Sequence, residues 1–402
     1  MLPKDKKGRL FLKSIKLLPT VLAKIGFQFV YLLFCFFFKV NPKKITFASS
    51  RSNELNGNLE YIYSEFKSRD NNLILVKSFF KIKNDFTGKI HYLFHMIKEC
   101  YHIATSRYFI IDDYHYLIYL IKPRKKTEII QLWHACGAFK KFGMSIVGKP
   151  NGPSREYIKT VKIHSNYSRL YVSSSEVIPY YAEAFDMEES KIFPLGVPRT
   201  DYFFENHQKE KVIEKLLQKI GSFQDKQIIL YAPTFRGKSY QQDVFVSPIN
   251  FNLLKEQLKK ESIILIHLHP YMSSAFHLED DLKDFVYHIK HDFTIEELLL
   301  ITDVLITDYS SIIFDYSLLN KPAAFYAHDL DEYMQERDFY YEYESLVPGP
   351  IFSHTEKLVD WLNNGQFNQE KMDLFKNKFF DYTDGNTSSR IVSHLLSSLN
   401  DL

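Results

Sequence analysis

Four short stretches hold residue types whose spacing suits chemistry on a phosphate. The first is Thr307-Asp308-Tyr309-Ser310-Ser311, which follows the apolar run Val304–Ile306 and precedes Ile312 and Ile313. A strand running into a tight turn and then a helix would leave free backbone N–H groups beside two hydroxyls, which suits a pyrophosphate. Ser310 serves equally well as an ordinary helix cap, and from this stretch alone the two readings stand level. Asp315, one turn further on, is placed to meet a ribose. The second stretch is Tyr231-Ala232-Pro233-Thr234-Phe235-Arg236-Gly237, where Arg236 follows a strand and can fork onto phosphate oxygens or form a surface ion pair. In the third, His267 and His269 share one side of a strand that Pro270 ends. A metal pair would need a third ligand, and none is suitably spaced, so His269 reads as a donor to a phosphoryl oxygen and His267 as structural. The fourth, Gln131-Leu132-Trp133-His134-Ala135-Cys136-Gly137, ends a strand on a histidine and leads to Lys140 and Lys141. His134 has the chemistry of a general base at neutral pH, although an isolated histidine more often lines a wall. Cys136 has nothing beside its sequence neighbour to make it a nucleophile.

The elements that must position these residues alternate. Short apolar runs separated by helical periodicity indicate parallel βα units. Strands are expected at Ile45–Ala48, Leu73–Lys77, Tyr108–Ile111, Glu128–Leu132 and Arg169–Ser173. After a charged, weakly periodic connection over Glu205–Gln224, five more are expected at Gln227–Tyr231, Ser262–His267, Phe285–Ile289, Asp303–Thr307 and Ala323–Tyr326. Helices fit Leu59–Lys67, Tyr92–Tyr101, Ser175–Phe185, Phe251–Lys260, Ile295–Ile301 and Ser311–Leu319. All four chemical stretches thus fall at the carboxyl ends of strands, where such sheets bind ligands.

At 402 residues the chain exceeds what one core usually supports. Three cysteines without paired spacing point to a reducing compartment and away from structural zinc. Residues 1–44 carry ten Lys/Arg against a single acid, leaving 41 basic and 47 acidic residues in the remainder. An acidic body excludes nucleic acid as the natural partner. The basic end coincides with an apolar run, Ile25–Phe38, which falls short of the roughly 20 residues a spanning helix needs, and no small-residue cleavage site follows it. It reads as an interfacial helix on an anionic membrane surface, or else as a helix packed on its own first domain.

Taken in order, the four stretches resemble the CDP-glycerol glycerophosphotransferase family of wall teichoic acid synthesis, together with Gly196-Val197-Pro198-Arg199-Thr200-Asp201, Tyr326–Tyr333 and Pro348-Gly349-Pro350. The resemblance implies an α/β, GT-B-like fold: two doubly wound Rossmann-type domains facing across a cleft, at 45–205 (acceptor side) and 206–402 (CDP-donor side), behind a membrane-associating segment at 1–44. The last helices are expected to pack back on the first domain. It implies His134 as the catalytic base and His269 as the second essential histidine. Arg236, Thr307, Asp308, Ser310, Ser311 and Asp315 fall to the donor phosphates and nucleotide, and Lys140 and Lys141 to the acceptor side. The expected substrates are CDP-glycerol or CDP-ribitol and an undecaprenyl-diphosphate-linked saccharide, with no metal or other cofactor, at the cytoplasmic face of the membrane. Where polymerases of the family commonly read Trp-His-Gly-Thr-Pro, this chain reads Trp133-His134-Ala135-Cys136-Gly137, which leans towards the primase-like branch. The rival within enzymes is a nucleotide-sugar glycosyltransferase of the same fold. A non-catalytic membrane scaffold is the rival outside them.

Overall fold

The computed structural model describes residues 4–82, 85–223, 225–234, 245–268, 278–290 and 292–400. The chain divides into two compact units, Met1–Arg199 with Asn386–Leu402, and Thr200–Gly385. The division falls at Thr200 rather than after residue 205, and the N-terminal 44 residues belong to the first unit.

In the first unit six parallel strands, β1 (Asn41–Ser49), β2 (Ile74–Phe79), β3 (Ser106–Ile111), β4 (Glu128–Gln131), β5 (Arg169–Tyr171) and β6 (Ile192–Phe193), lie in the order β2-β1-β3-β4-β5-β6. β3 is buried along its whole length, as a strand covered on both faces must be. The core gathers Ile45, Phe47, Tyr108, Ile110 and Ile130 from the sheet with Leu59, Ile62 and Phe66 from the helix Gly57–Arg69. Ile391, Val392 and Leu395 of the helix Thr387–Asn400 complete it. The Tyr108 hydroxyl donates to the Leu395 carbonyl at 2.8 Å, and the Arg69 guanidinium donates to Ser389 and Ser393. β6 has only two residues and carried no periodic signal.

The helix Lys4–Phe37 is longer than the apolar run led us to expect, and Leu17–Phe37 is long and apolar enough, by composition alone, to cross a membrane. It also packs on its own unit. Phe27 and Tyr31 are buried, the Lys24 ammonium donates to the Thr160 carbonyl at 2.7 Å, and Gln28 donates to the Leu120 carbonyl at 2.9 Å. Its outer stripe is apolar: Leu18, Leu22, Ile25, Phe29, Leu32 and Phe36 are exposed at alternating spacings of four and three. The neighbouring helix Phe86–Thr105 also exposes Phe86, Ile90, Leu93 and Phe94.

The second unit repeats the plan with β7 (Gln227–Tyr231), β8 (Ser262–Ile266), β9 (Val286–His288), β10 (Val304–Thr307), β11 (Ala323–Tyr326) and β12 (Ile351–Phe352), in the order β12-β11-β10-β7-β8-β9. All pairings are parallel. The expected charged connection contains instead a helix, Gln208–Ile220, which buries only Val212 and Leu216. One apolar pair four residues apart is enough to seat a helix, but it is too little for a periodic signal.

Both sheets reverse their winding once. In the first the reversal falls between β1 and β3, in the second between β7 and β10. Ligands of doubly wound sheets bind outside the carboxyl ends of strands at such a point.

Candidate active site

In the first unit, the carboxyl ends of β1, β3 and β4 lead to Arg51, to Asp112 and Asp113, and to Trp133 and His134. Trp133 stands at φ 51°, in the left-handed region that costs a bulky residue free energy. Its surroundings hold it there. Its N–H donates to the Gln131 side-chain oxygen at 2.8 Å, and the Asn58 amide donates to its carbonyl. Its ring stacks on Phe142, with centroids 5.4 Å apart and planes at 19°. Asn58 in turn accepts from the Arg199 N–H at 2.9 Å, and an Arg199 guanidinium nitrogen donates to the His134 carbonyl at 3.1 Å. Gly137 and Gly143 also take positive φ. A Cβ at Gly143 would lie 2.2 Å from the Ala184 carbonyl oxygen, so only glycine fits. The loop is braced at each turn, and it presents a half-exposed His134 ring.

Asp113 faces that ring. Its Oδ2 lies 3.7 Å from His134 Nδ1 and 2.9 Å from Arg51 Nε. The Asp113 backbone carbonyl accepts from the Gln131 amide at 3.1 Å. The fully buried Gln131 therefore ties the Asp113 segment to the His134 segment. Desolvation lowers the His134 pKa; the Asp113 charge opposes this, and Arg199 and Arg51 add to it. The side chain is 53% exposed to water. Burial, with the neighbouring Asp113 charge, pushes the Asp112 carboxyl up to about 7. Sequence reasoning missed Arg51 and Asp113. The adjacent acids immediately after the apolar strand Tyr108–Ile111 were the available signal.

Lys140 and Lys141 follow in the same loop and are half-buried, engaged by other protein groups. Cys136 is buried, in keeping with a structural thiol.

The reversal in the second unit is built differently. Thr307 is fully buried and donates to the Ala232 carbonyl at 2.8 Å. Asp308 is buried, and its Oδ1 accepts the backbone N–H groups of Thr234 at 2.8 Å and Tyr309 at 2.6 Å. The Asp308 carbonyl accepts from the Tyr343 hydroxyl at 3.1 Å. Tyr309 stacks on Tyr333 at 3.9 Å and donates to Asp329 at 2.9 Å. These side chains join the loops after β7 and β10 to each other; Thr307 and Asp308 thus shape the loop that was expected to bind phosphate directly. Ser310 and Ser311 are half-buried, and Ser310 Oγ accepts the Ile312 N–H at 3.4 Å. The helix after them, Ile312–Ser317, has six residues, too few for the dipole invoked from the sequence to be large. Asp315 is buried in it. His267 follows β8, half-buried, its N–H donating to the Tyr231 carbonyl at 3.0 Å. Arg236 and His269 lie outside the described residues. Among the described residues no group of three His, Cys, Asp or Glu side chains converges as a metal site.

The model of the CDP-Glycerol:Poly(glycerophosphate) glycerophosphotransferase family matches residues 29–397. The chain belongs to that family. It is 41% identical to a teichoic acid ribitol-phosphate primase of Bacillus spizizenii over 96% of this chain and 99% of the relative. With a teichoic acid glycerol-phosphate primase of Bacillus subtilis the identity is 33%, over 75% and 76% of the two chains. Among solved structures, a histidine-to-asparagine variant of the wall teichoic acid polymerase TagF, soaked with CDPG, superposes with a TM-score of 0.75 at 25% identity and 99% coverage of both chains. The fold is GT-B-like, and the protein is a CDP-polyol phosphotransferase of the teichoic acid class.

Proposed function

We propose that this chain acts as a primase, moving ribitol phosphate from CDP-ribitol to a hydroxyl of a lipid-linked saccharide diphosphate. The observation that carries this reading is the 41% identity to a ribitol-phosphate primase along nearly the full length of both chains. Identity to the glycerol-phosphate primase is lower and covers three quarters of each chain.

His134 Nδ1 faces Asp113, so the outward Nε2 is the basic nitrogen. It takes the acceptor hydroxyl's proton as that oxygen attacks the β-phosphorus of the donor in line. The new O–P bond forms as the bond to the bridging oxygen breaks, and CMP leaves. The transferring phosphoryl group carries charge throughout, and such transfers depend on positioning and positive potential. Ser310, Ser311, Arg236 and His269 supply donors on the nucleotide side. Thr307 and Asp308 hold the seryl loop in place, and Asp315 supports its helix. Lys140 and Lys141, half-buried in the loop after His134, are the candidates on the acceptor side.

The reaction takes place at the cytoplasmic face of the membrane. The regular apolar stripe of the helix Lys4–Phe37 supports membrane attachment, since six large apolar residues exposed to water from Leu18 to Phe36 are otherwise unfavourable. The test of function is product mass after incubation with CDP-ribitol or CDP-glycerol and a synthetic lipid-diphosphate disaccharide. A single addition of ribitol phosphate is expected. A ladder of products, or preference for CDP-glycerol, would overturn the assignment.

A further inference from the structure

The Asp113 carboxylate faces a histidine that it does not bind. Nδ1 of His134 stands 3.7 Å from Oδ2, beyond the roughly 2.7–3.2 Å of a hydrogen bond to nitrogen. The carboxylate is occupied elsewhere. Arg51 Nε sits 2.9 Å from Oδ2, an Arg51 terminal nitrogen 3.4 Å from Oδ1, and the Tyr114 N–H also donates to Oδ1. The Asp112 backbone also faces the His134 ring. Meanwhile both backbones are fixed through Gln131, and the His134 carbonyl is fixed by Arg199. The side chain free to move is Arg51, 60% exposed against 18% for Asp113. It rises from the carboxyl end of β1, at the sheet's reversal, where a phosphate-bearing ligand would arrive. A guanidinium prefers phosphate in a forked geometry, and a doubly charged oxyanion competes well with one carboxylate.

We infer that Arg51 is an anion-responsive latch: it holds Asp113 in the free protein, a phosphate or diphosphate group of the bound substrate draws it away, and Asp113 then closes on His134 Nδ1 to orient the ring for proton abstraction. Asp113 and Arg51 are positioning residues, and the inference rests on His134 being the base. The groups facing His134 are Asp113 and the Asp112 carbonyl after β3, Arg51 after β1, Arg199 at the end of the unit's first segment, and His164 before β5. Burial keeps His164 neutral, with its pKa lowered to about 3. Of the charged ones, Asp113 raises the pKa of His134, while Arg51 and Arg199 lower it. Withdrawing Arg51 and bringing Asp113 closer both favour the protonated ring. The base therefore titrates at higher pH in the substrate complex than in the free enzyme.

The pH dependence of kcat reports the complex, and that of kcat/KM the free enzyme. With CDP-ribitol and a synthetic lipid-diphosphate saccharide, the acidic limb of kcat should lie above that of kcat/KM by roughly 0.5–1 pH unit, the scale of one unit charge acting across about 4 Å near water. In Arg51→Gln the two limbs should coincide, with the kcat/KM limb moved up to meet the other. In Asp113→Asn both limbs should move down and kcat should fall about tenfold or more, part of what a positioned base contributes, with KM little changed. Coincident limbs in the wild type, or a split that survives in Arg51→Gln, would overturn the latch. His134→Ala separates the two levels: normal turnover there removes the base assignment itself, whereas its loss with unsplit wild-type limbs removes the latch alone.

Discussion

The two sheets reverse their winding in the same way, yet the two reversals are furnished with opposite materials. In the first unit the strand ends carry Arg51, Asp113 and His134, charged or titratable and open to water in part. In the second they carry Thr307, Asp308 and Tyr309, buried and saturated with hydrogen bonds to backbone and to one another. A group that must exchange a proton needs access to water and a pKa near the working pH. A group that must hold a loop against a charged ligand needs neither, and burial strengthens its hydrogen bonds. The difference separates an open, titratable strand end from a buried, hydrogen-bonded one.

Mutations at the two reversals should therefore separate activity from stability. The largest effect is expected from His134→Ala, with turnover falling by about 10²–10⁴-fold and the melting temperature unchanged, as measured by CMP release and thermal unfolding. Next is Asp308→Ala, which strips two backbone N–H groups of a charged acceptor. It should cost about 2–3 kcal/mol, seen in denaturant unfolding, and weaken donor binding only through the displaced loop. If its stability were normal and donor binding alone were lost, Asp308 would be a ligand contact and the contrast would fail. Tyr343→Phe removes one hydroxyl from the Asp308 carbonyl and should cost about 1 kcal/mol. The smallest effect concerns Asp112. Its carboxyl titrates near 7 in the folded chain and near 3.9 when unfolded, so the folded state binds the extra proton in between. Stability is then fully present below that window and declines as pH rises through it. Asp112→Asn should flatten this decline in melting temperature between about pH 4 and pH 7. An unchanged slope would show that the carboxyl is ionised throughout.

The strand ends were legible because parallel buried strands write themselves as apolar runs. Gln227–Tyr231 and Ala323–Tyr326 fall where the runs begin and end. The two-residue strands Ile192–Phe193 and Ile351–Phe352 are too short for any pattern. His134 was legible as a candidate because tryptophan, histidine and glycines crowd one strand end. Arg51 was not, since it sits in the serine-rich stretch Ser49–Ser52 and gains its meaning only from Asp113, 62 residues later. The Thr307–Ser311 stretch falls on a strand end as expected, but its burial and its hydrogen bonds to the loop after β7, which sequence does not state, emerge only from the fold.

The helix Thr387–Asn400 covers the first sheet although it follows the whole second unit along the chain. During synthesis the second unit is thus finished before the first can bury Tyr108 and Phe47 beneath their last cover. A nascent chain halted before Asn386 would carry a closed second sheet and an unfinished first one. The cover of the first sheet is therefore completed only once Thr387–Asn400 has been synthesised.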